Sequence, residues 1–160
     1  MALDSINGIV GWKEWVAIPD LHLPAIKAKI DTGAATSSLH AYKITYVRRG
    51  GKKYVRFEVH PIQNNKRIKI RCLAPLIAKR AVKSSSGEMT KRPVIKVSLK
   101  IGNNTWDIEL NLTNRDSMGM RMLIGREALQ KVLVNPTHKF LHGKLSAKKS
   151  KSHYKNNICK

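Results

Sequence analysis

Short runs of alternating apolar and polar residues, punctuated by turn signals, dominate this chain and restrict it to β architectures. From Ala25 to Ile30, Ile26, Ala28 and Ile30 alternate with Lys27 and Lys29, the period of a strand with one buried face. Ile68, Ile70 and Cys72 repeat that spacing between Lys66 and Leu73. Trp12 to Ile18 and Thr36 to Val47 also read as strands. Arg49-Gly50-Gly51 marks a hairpin returning through Tyr54, Val55, Phe57 and Val59, and Pro61 to Asn65 reads as a turn. Ser85 to Glu88 forms the tip between Ala81–Ser84 and Met89–Arg92, and Gly102-Asn-Asn104 joins Val94–Ile101 to Thr105–Leu112. Met122 to Ile124 is a short strand ending at Gly125, and Glu127 to Leu133 is the only helical stretch. The pattern predicts a mainly β, barrel-like domain over residues 1–143 with one short C-terminal helix. Residues 144–160, polar and basic, read as a disordered tail.

Charge narrows the partners. The chain holds 31 Lys and Arg against ten Asp and Glu, a net charge of +21. Seven of those lysines lie from residue 138 onward, where there is no acid, yet residues 1–137 still carry 24 bases against ten acids. The body itself should attract polyanions, although solvated lysines alone also produce such a balance. Aromatics are 6% of residues, which counts against single-strand nucleic-acid readers that stack bases on rings; weak nucleic-acid binding through the basic tail remains an expectation. No apolar run reaches the ~20 residues of a membrane-spanning helix, so no membrane partner is expected. The first twenty residues carry Asp4, Glu14 and Asp20 without an apolar signal core. Cys72 and Cys159 make no disulfide framework, so a reducing cytoplasm is the expected compartment.

The residues with chemistry to offer begin at Ile30-Asp-Thr-Gly-Ala-Ala-Thr-Ser-Ser38. A strand ends there and delivers Asp31 into a tight turn with Thr32, Gly33 and Ala34. A rigidly held carboxylate at a strand end suits activation of water, and Gly33 permits close backbone approach. On its own the tripeptide also suits an Asp that merely caps a turn. A second segment, Met122-Leu-Ile-Gly-Arg-Glu-Ala-Leu129, is an apolar run with a glycine leading into a helix.

Together these segments resemble the retropepsin-like aspartic peptidases, in which an Asp-Thr-Gly loop is supported from behind by an apolar-apolar-Gly strand. The resemblance covers roughly residues 16–136. It is closer to a bacterial subgroup often labelled ATP-dependent zinc proteases and associated with RimK-type ATP-grasp ligases that add glutamate to polypeptides. The matching stretches are Lys29 to Leu39, Ser85 to Gly87 followed by Arg92-Pro93, and Leu112 to Arg126. The resemblance implies a pepsin-type barrel. It implies Asp31 as the catalytic carboxylate, Ile124, Gly125 and Arg126 as support for its loop, and Ser84, Ser85, Ser86 and Gly87 as a flap over substrate.

The zinc label asks for about three protein ligands. The chain has no His-Glu-x-x-His and no Cys-x-x-Cys, and only His138 and His142 have i, i+4 spacing, so no metal ligands are assigned. It also lacks a phosphate-cradling Gly-x-x-x-x-Gly-Lys-Ser/Thr, and no cofactor is expected. Aspartic peptidases need two carboxylates sharing one proton around a water. This chain has one Asp-Thr-Gly; Asp107 and Asp116 stand in other contexts. The expectation is a homodimer that sets Asp31 against its counterpart, and the resemblance implies that each Thr32 braces the other loop. Acidic or glutamate-extended peptides suit a surface expected to display Lys27, Lys29, Lys66, Arg67, Lys69, Arg71, Lys79, Arg80, Lys83, Lys91 and Arg92. The competing reading is a catalytically idle module of the same fold that docks acidic tails or RNA.

Overall fold

A computed structural model describes residues 8–84, 86–114 and 119–155. The chain is mainly β. Strands β1 (Ile9–Gly11), β2 (Lys13–Ile18), β3 (Leu23–Asp31), β4 (Ser37–His40), β5 (Tyr42–Arg49) and β6 (Lys52–Val59) come first. They are followed by β7 (Ile70–Pro75), β8 (Ala78–Lys83), β9 (Met89–Ile101), β10 (Asn104–Thr113), β11 (Met122–Gly125) and β12 (Leu133–Asn135). Among the described residues, one α-helix, α1 (Ala147–Ser152), lies near the C-terminus, and short 3-10 turns occupy Pro19–Leu21 and Arg126–Leu129.

The main sheet runs β10-β4-β11-β3-β2-β9-β8, and β9 also pairs with β10, so its first six strands close on themselves. A second sheet, β5-β6-β7, packs its Val55, Phe57, Ile70, Cys72 and Ala74 into the same core. The alternation seen in sequence explains the strand faces. Ala28 and Ile30 of β3 are buried while Lys29 is exposed. Ile68, Ile70 and Cys72 are all buried. The Gly50-Gly51 turn closes its hairpin with both glycines at positive φ (56° and 78°), the geometry a tight two-residue hairpin loop requires.

Three expectations change. Thr36 to Val47 is two strands in different sheets: Ala41 donates to the Thr113 carbonyl (3.0 Å), Lys43 takes φ 51°, and the chain turns from β4 into β5. Glu127 to Leu133 is not a helix. A single 3-10 turn ends at Leu129, and Leu133 enters β12, which pairs in parallel with β1; a helix that short is marginal without packing. Of the stretch read as a disordered tail, residues 144–155 are described and are structured; the rest lies outside the described residues. The structured part carries α1, capped by Ser146, and buries Tyr154, whose hydroxyl accepts from the Ala25 amide (3.0 Å) and donates to the Ala25 carbonyl.

The connectivity of the main sheet decides where chemistry can occur. β3 and β4 are consecutive in sequence but not hydrogen-bonded to each other. β11 lies between them, parallel to β3 and antiparallel to β4. The 32–36 loop must therefore arch over the end of β11, with Gly125 in register with Asp31.

Candidate active site

Burial of Ala28 and Ile30 fixes the phase of β3 and leaves Asp31 half-buried at its end. Past it the chain turns: the Ala34 amide donates to the Asp31 carbonyl (3.3 Å), and the Gly33 amide donates to Asp31 Oδ1 (3.0 Å). Oδ2 accepts no hydrogen bond among the described residues. Thr32 and Gly33 are exposed. The carboxylate is thus gripped by one oxygen and open through the other.

The loop is strapped to β11 and the turn after it. The Gly125 amide donates to Ser37 Oγ (3.0 Å). The Arg126 amide donates to the Ala34 carbonyl (2.7 Å), and the Glu127 amide to the Ala35 carbonyl (3.0 Å). Arg126 Nη1 reaches back to the Thr32 carbonyl (2.8 Å). Glycine is required at 125 because a Cβ there would come within 2.5 Å of the Thr36 carbonyl carbon and 2.9 Å of its amide nitrogen. Ile124 beside it is fully buried. Asp31, Thr32, Gly33 and Ala34 are in this way brought together with Ile124, Gly125 and Arg126.

The flap hairpin is formed by β8 and the first part of β9. Its tip closes through the Ser84 amide to the Glu88 carbonyl (2.8 Å) and the Gly87 amide to the Ser84 carbonyl (2.9 Å), and Ser84 and Ser86 share a hydroxyl contact (2.8 Å). Gly87 takes φ 87°. Ser85 lies outside the described residues. Among those described, no hydrogen bond joins this tip to the Asp31 loop. The base of the flap does meet it: a cavity of about 400 Å³ lies between Arg80 and Val82 of β8, Thr36 and Ser37 of the loop, and Asn111 of β10.

Beneath that cavity lies a polar network that the sequence reading missed. Arg92, expected on the surface, is buried at 5% exposure. Its Nη1 donates to Asn111 Oδ1 (3.0 Å) and Nε to Thr90 Oγ1 (2.9 Å). Asn111 Nδ2 donates to the Ser37 carbonyl (2.8 Å) and Thr36 Oγ1 (3.2 Å), while Ser38 Oγ donates to Asn111 Oδ1 (2.8 Å). Flap base and Asp loop are thereby linked through one arginine and one asparagine. The only advance signal was the Arg92-Pro93 pair. Arg80, another expected free cation, is paired with Glu109; Lys66, Arg67, Arg71, Lys79, Lys83 and Lys91 are exposed. His138 and His142 take separate partners, Thr137 Oγ1 (2.9 Å) and the Ile9 carbonyl (2.8 Å).

Comparison with known proteins places this geometry. Residues 9–145 match the family described as RimB-like, retropepsin-like aspartic endopeptidase RimB. Proteins named "Probable alpha-L-glutamate ligase" from Shewanella pealeana and Desulfotalea psychrophila are 52% and 46% identical over 84% and 91% of this chain. The matched regions make up only 30% and 32% of those relatives, so the chain spans about a third of their length. A crystal structure of a Legionella pneumophila protein of unknown function superposes with a TM-score of 0.71 at 33% identity, covering 85% of this chain and 98% of that one. With its single Asp-Thr-Gly loop strapped over a central strand, this chain belongs to the RimB-like family of retropepsin-like aspartic endopeptidases.

Proposed function

We propose that the chain is an aspartic endopeptidase that works as a homodimer, with water activated between the Asp31 carboxylates of two copies. One observation carries this reading: Asp31 is held by Gly33 through one oxygen and left open through the other, on a loop too tightly strapped for a mere surface turn. One carboxylate lacks the partner with which to share a proton, so a second copy must supply it. The surface beside the loop suits that approach. Ile30 donates to the Trp12 carbonyl (2.8 Å), which brings the β1–β12 pair alongside Asp31, and that pair exposes Ile9 (50%) and Leu133 (46%). In the dimer, Thr32 of each loop braces the other, and the Ser84–Gly87 tips close over the substrate and limit water.

The basic surface and the glutamate-ligase names of the relatives support acidic, glutamate-extended peptides as substrates. Cleavage of such peptides should then weaken steeply with salt. Asp31→Asn should abolish cleavage with the fold intact, and mixing equal amounts of variant and native chain should leave about a quarter of random pairs fully native. Unchanged cleavage in the variant, or activity from a strict monomer in sedimentation, defeats the reading. A chelator should have no effect. The exposed lysines and arginines also favour a second reading, an idle polyanion-docking module; it predicts binding without cleavage at any protein concentration.

A further inference from the structure

A second site lies at the opposite end of β11 from Asp31. Arg121 immediately precedes that strand and is buried to 9% exposure. Its side chain makes one hydrogen bond among the described residues, and a long one, from Nη1 to the Tyr42 hydroxyl (3.3 Å). Its Nε is buried with no acceptor among the described residues. An arginine carries five N–H donors and a permanent charge, so this guanidinium is under-satisfied, and leaving buried donors unmet is costly. Burial lowers the His60 pKa, and the charge of Arg121 adds to that shift.

Arg121 forms one wall of an open depression of about 810 Å³, whose other lining residues are Asn64, Asn65, Lys66 and Arg67. No acid is among these described residues, whereas the cavity beside the loop after Asp31 has Asp107, Glu109 and Glu127 in its lining together with Arg80. The rim is built into shape. Asn65 Oδ1 accepts from the amides of Arg67 (2.9 Å) and Ile68 (3.3 Å), and the Asn65 amide donates to the Ile62 carbonyl (3.1 Å). Lys66 and Arg67 are thus fixed at the backbone with exposed side chains. A partly desolvated guanidinium at the wall with two cations on the rim is a carboxylate or phosphate receptor.

We propose that this depression is a docking site for the acidic stretch of a peptide, separate from the Asp31 site. The choice of carboxylate over phosphate rests on the peptidase reading. Arg121 is four residues from Gly125, about 13 Å along the strand, so an extended peptide would need about four residues to cover the distance. Long acidic substrates would engage both places, and short ones only the first.

The test measures binding of fluorescein-labelled octaglutamate by anisotropy at low salt, on the full chain carrying Asp31→Asn so that nothing is hydrolysed. Lys66→Glu with Arg67→Glu should weaken binding about tenfold or more and flatten its salt dependence. Arg121→Gln should do the same, and because Arg121 is buried, the surface pair keeps the test decisive should that variant misfold. On an otherwise native chain, the paired substitution should raise KM for a long acidic peptide and leave cleavage of a short one unchanged. Unaltered octaglutamate affinity in the Lys66/Arg67 variant overturns the site, even where short peptides are cleaved. A single-stranded oligonucleotide that binds through these residues while octaglutamate does not overturns it in favour of nucleic acid. Binding that depends on Lys66 and Arg67, together with a native chain that cleaves neither long nor short peptides, sustains the site and removes the peptidase reading instead.

Discussion

Gly125→Ala isolates the contact on which the Asp31 loop depends. The backbone at 125 has φ −87° and ψ 173°, which alanine adopts freely, so no conformational strain confuses the result. The obstacle is steric and lies in backbone, which cannot rotate away. The added Cβ would meet the Thr36 carbonyl carbon at 2.5 Å, whereas ordinary contacts begin at 3.4 Å. The loop and β11 must separate by at least about 0.9 Å, since the Thr36 carbonyl oxygen lies closer still, and the Arg126–Ala34 and Glu127–Ala35 bonds, now 2.7 and 3.0 Å, would stretch beyond useful length. Two such bonds at about 1 kcal/mol each, with overpacking at about 1–3 kcal/mol, exceed the gain of about 0.4–1 kcal/mol from a stiffer unfolded chain. The net cost is about 2–4 kcal/mol, a large share of a domain's stability of about 5–15 kcal/mol. Urea denaturation at fixed protomer concentration should show the midpoint falling by about 1–2 M, for a slope of about 2 kcal/mol/M. Any peptide cleavage should be lost with it. A midpoint within about 0.25 M of the native chain would show that the loop accommodates the methyl and that the strapping does not fix the carboxylate.

Three further perturbations test other parts of the fold. Glu14 is fully buried, and its carboxylate accepts from the amides of Gly11 (2.7 Å), Leu141 (3.0 Å) and His142 (3.2 Å); Glu14→Ala strands all three donors and should cost about 3 kcal/mol or more, lowering Tm by roughly 6–12 °C. Tyr154→Phe removes the hydroxyl serving the Ala25 amide and carbonyl and should cost about 1–3 kcal/mol in denaturant titrations. Burial, with Arg121 and Lys69 assisting, lowers the His60 pKa from 6.5, while Glu58 opposes the shift. The unfolded chain therefore takes up a proton below pH 6.5 that the folded chain resists, so stability falls as pH drops from about 6.5 through the lowered folded value. His60→Phe, which retains a ring against Tyr42, should flatten that part of the stability–pH curve; an unchanged slope would assign the pH dependence to other groups.

The parts legible in the sequence are those whose determinants are local. β3 announced its buried face because lysines alternate with apolar residues, and the Gly50-Gly51 hairpin because its backbone angles exclude most other residues. The Asp-Thr-Gly loop and its Gly125 support were readable as motifs, although the reason for the glycine, the Thr36 backbone pressed against it, is tertiary. What escaped depends on distant partners. The break between β4 and β5 falls at Ala41, whose amide bonds to Thr113 of β10. Alternation through Ile108, Leu110 and Leu112 places Asn111 on the solvent side of β10, yet Arg92 and the Thr36–Ser38 segment enclose it. Tyr154 was one aromatic among lysines, and nothing nearby revealed that β3 leaves a donor and an acceptor for its hydroxyl.

The use made of the chain's few acids strengthens the case for Asp31. In a protein of charge +21, a carboxylate readily finds a cation or an amide, and most of those described have done so. Glu14 binds three amides, and Asp20 accepts from the Ser98 amide (2.6 Å). Glu58 meets His60, Lys43 and Lys69, Asp107 accepts from Ser98 Oγ (3.0 Å), and Glu109 pairs with Arg80. Glu88 and Glu127 lack such bonds but are exposed, where water serves them. Among the described acids, Asp31 alone combines partial burial, a backbone grip on one oxygen and an unengaged second oxygen. Arg126, the cation closest in sequence to its support, donates to the Thr32 carbonyl rather than to the carboxylate. A fold that needed Asp31 only as a turn cap would gain by letting that guanidinium neutralise it. Keeping the charge near but off the acid preserves an oxygen able to take a proton from water, which is the property a second copy of the same loop would complete.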